Sequence, residues 1–178
     1  MELNIEPIYD SFLCMKGDFA GVSYYMTTLP IEKVADSLHF EKDLNIENAS
    51  FADRVQRTLN KTRAEEEIYK KYLLNEGTRF FNSLVVTVIP DKEDKGFYKE
   101  DCKGANIYEL SLSQNVKKVV VDGQHRLFAL RKLRADIIEG KCEDREDLKN
   151  LQIPIIFVLY NKQIKGERIL ALWRLDYY

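Results

Sequence analysis

The hydrophobic and polar positions of this chain change period several times, and each change marks an element. Phe19 to Thr28 carries Val22, Tyr24, Tyr25 and Met26 behind Gly17 and Gly21, and reads as a strand ending before Leu29-Pro30. Pro30 lacks an N–H and suits a first helical turn, so a short helix through Val34 and Leu38 is expected after it. From Phe51 to Asn75 a run of good helix formers is free of Gly and Pro. Val55 with Leu59, and Ile68 with Tyr72, stand four apart on such a helix. The phase slips across Asn60 to Arg63, which allows one helix or two joined there, and Asn75-Glu76-Gly77 is a stop signal.

Downstream, Leu84 to Ile89 is a β-branched run closed by Pro90, and reads as a strand. Asp91 to Asn106 is charged, contains Gly96 and Gly104, and reads as a loop. Ile107 to Leu112 alternates as a short strand does, and Val119-Val120-Val121 is another strand running straight into Asp122-Gly123. Leu127, Leu130, Leu133 (or Arg134) and Ile137 then follow helical spacing up to Gly140. The apolar residues from Ile153 to Tyr160 are continuous, as in a strand buried on both faces, with Pro154 at its entry. Glu167 to Asp176 resembles the start of another helix, with Ile169, Leu170, Leu172 and Trp173 as its apolar content. The interleaving predicts a mixed α/β (α+β) fold, with one mixed sheet flanked by helices in a single domain over residues 1–178.

Composition narrows the function classes. At 178 residues the chain can build one good core but not two. The balance of 27 basic and 29 acidic residues, net −2, argues against a general positive coat for nucleic acid and leaves room for a local basic face. No apolar run approaches a membrane span, and Met1 to Asn4 lacks the start of a secretory signal, so a cytoplasmic protein is expected. Cys14, Cys102 and Cys142 form no CxxC pair, and with only His39 and His125 as histidines they predict reduced thiols and no metal site. His39 reads as a surface residue; Phe80, Phe81, Tyr24, Tyr25 and Trp173 read as core or half-buried aromatics.

The richest chemistry lies at residues 119–130, where a strand ends, a glycine turns the backbone and a helix starts at once. The positive end of the helix dipole then faces the turn, an anion site in outline. Gly123, Gln124, His125 and Arg126 are the candidate phosphate- or nucleotide-binding residues, and Asp122 offers a carboxylate for a hydroxyl, a metal ion or water. The plainer alternative is that Asp122 caps the helix, Gly123 relieves the turn and Arg126 pairs with a local carboxylate. Were the chain an enzyme, Asp122 and His125 would be its catalytic candidates, with Glu109 or Asp122 as partner to the histidine. Upstream, Arg54, Arg57 and Lys61 share one helical face by spacing, and with Arg63 form a stripe able to meet DNA or nucleotide phosphates. Glu65, Glu66 and Glu67 follow directly, so the stripe could equally be a solvated, salt-bridged face.

Asp122-Gly123-Gln124-His125-Arg126 resembles the signature of the DGQHR-domain family, whose best-known branch is DndB-like and associated with DNA phosphorothioation. Arg54 to Arg63 followed by Ile68 and Tyr69 to Tyr72 is similar to the family's upstream helix. Phe80-Phe81, the Leu84–Ile89 strand and the late strand follow in similar order, so the likeness spans about residues 19 to 160. The resemblance implies a fold related to the ParB/sulfiredoxin group, whose corresponding turn binds nucleotide phosphates. Where sulfiredoxins place a nucleophilic cysteine, this chain has Gln124, and an amide cannot act as a thiolate, which excludes sulfinic acid reduction. The resemblance further implies a DNA-binding regulator in phosphorothioate modification or a related phage-defence island, interest in Arg57 and Arg63, and other DNA-modification proteins as partners. A nucleoside triphosphate with magnesium is the cofactor it would admit. An NTP-hydrolysing, phosphoryl-transfer or nuclease enzyme is the alternative, and a truncated, non-catalytic assembly partner is a third. Longer members continue past the late strand with a helical part that this chain is expected to lack, and an exposed apolar end would favour self-association.

Overall fold

The computed structural model describes residues 8–19, 21–40, 60–75, 81–90, 96–142 and 145–159. The strands are β1 (Tyr9–Phe19), β2 (Val22–Pro30), β3 (His39–Phe40), β4 (Leu84–Ile89), β5 (Tyr98–Gly104), β6 (Ile107–Ser113), β7 (Lys117–Asp122) and β8 (Gln152–Leu159). They form one eight-stranded sheet in the order β3-β7-β4-β8-β2-β1-β6-β5. The β3–β7 and β4–β8 pairs are parallel and the other neighbours antiparallel, which is the mixed sheet the sequence predicts.

Connectivity forces this sheet to curl. Four strands lie between β6 and β7, a separation of about 24 Å if the sheet were flat. Yet the chain between Ser113 and Lys117 reaches at most about 14 Å. The curl brings Lys118 on β7 to Asp10 on β1, with Nζ 3.0 Å from the carboxylate. That ammonium is buried and also lies 5.9 Å from the Phe12 ring centroid. On the same face Phe12 meets Phe157 at 5.4 Å between centroids.

Helices α1 (Ile31–Ser37), α2 (Lys61–Arg63), running on as a π-helix over Ala64–Leu73, α3 (Gln124–Ile138) and α4 (Glu146–Lys149) complete the described fold. Val34, Leu38, Leu73, Leu127, Leu130, Leu133 and Leu148 from them share one core with Val86, Val120, Ile155 and Phe157 of the sheet. Arg131 of α3 satisfies the carbonyls that end α1, donating to Ala35 O at 3.1 Å and Leu38 O at 2.6 Å.

Several elements differ from their sequence signals for identifiable reasons. The segment expected as one strand from Phe19 to Thr28 is the second arm of a hairpin whose first arm is β1. β1 was hidden because Asp10, Lys16 and Asp18 share a face with buried Phe12 and Cys14, while Leu13 and Met15 point outward exposed. The expected loop from Asp91 to Asn106 contains β5, polar and exposed throughout. It pairs with β6 through a tight turn at Ala105 and Asn106, both at positive φ (48° and 63°), which suits a hairpin. β8 alternates buried and half-buried positions; β7 and β4 are strands with both faces covered. His39 lies half-buried in β3 opposite Val119. In the π-helix the buried residues are Ala64, Tyr69 and Leu73, spaced five and four apart, and Ile68 and Tyr72 pack half-buried against the same core. Leu74 N–H accordingly bonds Tyr69 O, five residues back, at 3.0 Å. Tyr25 is buried and Phe81 packs against the core, as expected for these aromatics. The expectations for Val55 with Leu59, for Phe80, for Trp173 and for the helix from Glu167 fall outside the described residues.

Candidate functional site: the β7–α3 turn and the start of α2

β7 delivers the chain to Gly123 with φ 94° and ψ 23°, a left-handed conformation that L side chains rarely adopt. Space demands glycine as well. A Cβ there would stand 2.5 Å from Leu84 Cδ2 and 3.0 Å from Arg126 Nη2. The turn is therefore pressed against β4 and against its own arginine. Gly123 is the N-cap of α3, and Leu127 N–H closes the first helical bond to its carbonyl at 2.9 Å. No side chain caps this helix, so Asp122 does not play the capping part that the plainer reading allowed.

Arg126 folds back under the turn. Nη1 donates to Asn82 O at 2.6 Å and Ser83 O at 3.0 Å, and Nη2 to Asp122 Oδ2 at 3.0 Å. Its side chain is 19% exposed, against 58% for that of Asp122. Nη1 and Nη2 thus tie the entry of β4 to the exit of β7, which is the local carboxylate pairing the sequence left open. Phe81 lies 6.0 Å from the guanidinium carbon and completes its surroundings.

His125 reaches outward to α2. Its Nε2 accepts the backbone N–H of Asn60 at 3.0 Å. Asn60 in turn caps α2, its Oδ1 accepting Arg63 N–H at 3.0 Å. The N-termini of α2 and α3, both positive dipole ends, therefore meet at the Asn60–His125 bond. Lys61 and Arg63 are exposed at this corner, and Arg63 pairs with Glu67 at 2.8 Å. Further along, Lys132 bonds Glu65 at 3.1 Å and Tyr69 donates to Asp136, holding the two helices side by side. The structure thus brings Lys61 and Arg63 to the Asp122–Arg126 turn; Arg54 and Arg57 lie outside the described residues.

Glu109, one candidate partner for His125, is held by Lys103 at 2.8 Å on the β5–β6 hairpin. Asn60 is the site residue that sequence reasoning passed over. Its signal in the sequence is Asn directly before a helix-forming run, a capping pattern that coincides with the slip in hydrophobic phase. Among the described residues no cluster of His, Cys, Asp and Glu could hold a metal ion, and no helix is long and apolar enough to cross a membrane. All three cysteines are free thiols.

The fold and this turn define a mixed α+β protein organised around a DGQHR junction. The chain belongs to the DndB family, described as DNA-sulfur modification-associated, whose family model matches residues 12–169. Membership ties it to DNA phosphorothioation systems. Searches among curated proteins and among solved structures returned no match.

Proposed function

We propose that this protein acts in DNA phosphorothioate modification as a DNA-binding regulator that holds the DNA backbone at the α2–α3 corner. The observation carrying this reading is the Asn60–His125 bond, which sets Lys61 and Arg63 beside the positive end of α3. Two helix dipoles and two exposed cations at one corner favour a phosphate-rich partner. In this reading Arg126 works from beneath, fixing the turn through Asn82, Ser83 and Asp122, while Gly123, Gln124 and His125 present the helix end. A net charge of −2 fits a short, local contact on a few phosphates.

The test is fluorescence anisotropy with a labelled DNA duplex at low salt. The comparison is wild type against Lys61→Glu/Arg63→Glu and, as control, Lys99→Glu/Lys103→Glu on β5. The corner variant should lose at least about tenfold in affinity, and the β5 variant should stay within about twofold. Equal loss in both would reduce the contact to general electrostatics. Displacement of the duplex by ATP, GTP or CTP with magnesium, but not by DNA competitor, would move the reading to a nucleotide site.

A further inference from the structure

The bond between His125 and Asn60 fixes the state of the imidazole. A backbone N–H can only donate, so Nε2 must carry a lone pair and the ring proton must sit on Nδ1. The neutral ring is thus the form that fastens the two helix starts together. A protonated Nε2 would set two donors against each other at 3.0 Å. Imidazole is the side chain whose charge changes most readily near neutrality.

We propose that His125 and Asn60 are positioning residues forming an acidity-sensitive latch. With His125 neutral, the latch holds the Lys61–Arg63 corner against the Gly123 turn; protonation of Nε2 releases it. Among the described residues, the charged groups nearest this junction are Asp122, Arg126, Arg63, Glu67, Glu65, Lys132 and Lys61. Asp122 pairs with Arg126 within the turn, Arg63 with Glu67 along α2, and Glu65 with Lys132 between α2 and α3; Lys61 adds positive charge at the corner itself. Asn60 performs two tasks with separate groups. Its side chain caps α2, and its main chain engages the histidine. Releasing the latch therefore leaves the α2 cap in place and frees only the junction, so the contacts further along, Glu65–Lys132 and Tyr69–Asp136, still hold the helices together. The consequence is a shift in the position of two cations without unfolding. This deepens the phosphate-contact reading and rests on it, because the groups positioned are the ones proposed to meet DNA.

The experiment follows the Asn60 amide directly, with no ligand present. Hydrogen exchange at Asn60 is measured by NMR on the full chain between pH 5 and 8 and corrected for the intrinsic pH dependence of exchange. The variants are His125→Gln, whose amide oxygen can accept near the Nε2 position without titrating, and His125→Ala. Wild type should show protection at pH 8 about two- to tenfold above His125→Ala, the range expected for one exposed hydrogen bond, and should lose it on acidification. His125→Gln should show a flat profile. Protection equal in wild type and His125→Ala, or a pH profile retained in His125→Gln, would overturn the latch. Duplex affinity of the same samples separates the two readings. An intact latch profile with no DNA binding at any pH would sink the phosphate contact and leave the latch standing. DNA binding lost in Lys61→Glu/Arg63→Glu but indifferent to His125 state would do the reverse.

Discussion

Replacing Gly123 by alanine tests how the DGQHR turn is built, and two terms set the size of the effect. The first is conformational: at φ 94° an L-residue sits in the left-handed region, at about 1–2 kcal/mol. The second is steric. The new methyl carbon would lie 2.5 Å from Leu84 Cδ2, roughly 1 Å inside normal carbon–carbon contact. Leu84 is fully buried on β4 and cannot swing away, so repacking adds about 1–3 kcal/mol. Arg126, 3.0 Å from the same methyl position, would be pushed from its carbonyl acceptors. The sum is about 2–5 kcal/mol, which at this size lowers Tm by about 5–15 °C. The chain supplies its own control. Gly21 has φ 81° with nothing within 4 Å of the place a Cβ would take, so Gly21→Ala carries the conformational term alone, about 1–2 kcal/mol. Thermal melts by circular dichroism and urea midpoints on both variants measure the difference. Adding Leu84→Ala to Gly123→Ala should cost less than the two single losses combined, because the truncated leucine makes room. Equal destabilisation of Gly123→Ala and Gly21→Ala, or strict additivity with Leu84→Ala, would refute the close-packed turn.

Arg126→Lys should destabilise by about 2–4 kcal/mol in urea titrations, since one ammonium cannot serve two carbonyls and a carboxylate from the same position; a loss below about 0.5 kcal/mol, the size of an ordinary surface change, would contradict that bridging role. For Asp10, partial burial works to raise the pKa, but the hydrogen bond and charge of Lys118, with Gln114 and Lys33 behind them, outweigh it and hold it below 3.8. A depressed carboxylate contributes stability that is present above its unfolded value and lost as pH falls through the folded one. Asp10→Asn should therefore cost about 1–3 kcal/mol at pH 7, where it strands the buried Lys118 ammonium, with the gap to wild type closing as pH falls below 3.8 and on through the lowered folded value; a gap independent of pH would count against the pairing. Tyr69→Phe removes the hydroxyl that Asp136 accepts and should cost about 1 kcal/mol in chemical denaturation. Burial works to raise Asp136 while Tyr69 and Lys141 lower it, so this variant should also lose part of its stability gain between acid and neutral pH.

Much of the fold was legible because its signals are local. The Leu84–Ile89 strand has the same limits in sequence and structure, since Pro90 stops it and β-branching drives it. The turn at Gly123 and the helix after it were readable from one glycine between an apolar triplet and a helical repeat. What escaped was set by tertiary pairing. β5 has no apolar face and exists because Ala105-Asn106 folds it onto β6. β1 places Asp10 and Lys16 on its inner face because the curl of the sheet brings Lys118 to Asp10, and Glu100 reaches Lys16 from β5, across β6. Lys16 bonds Glu100 at 2.9 Å and the hydroxyl of buried Tyr25 bonds the same carboxylate at 2.5 Å, partners 84 and 75 residues away in sequence. At the site, the DGQHR residues stood out while their division of labour did not. Whether Arg126 turns in or out depends on the carbonyls of Asn82 and Ser83, which no motif records.

A DNA-backbone contact at the α2–α3 corner would show itself in the salt dependence of duplex binding. Wild type and Lys61→Ala/Arg63→Ala would be titrated with the same duplex across a series of monovalent salt concentrations. Each phosphate neutralised contributes a slope of about −0.9 in log affinity against log salt. The double variant should bind more weakly, with a slope shallower by up to about 1.8. An unchanged slope with unchanged affinity would contradict a contact at this corner and place any DNA contact elsewhere on the protein.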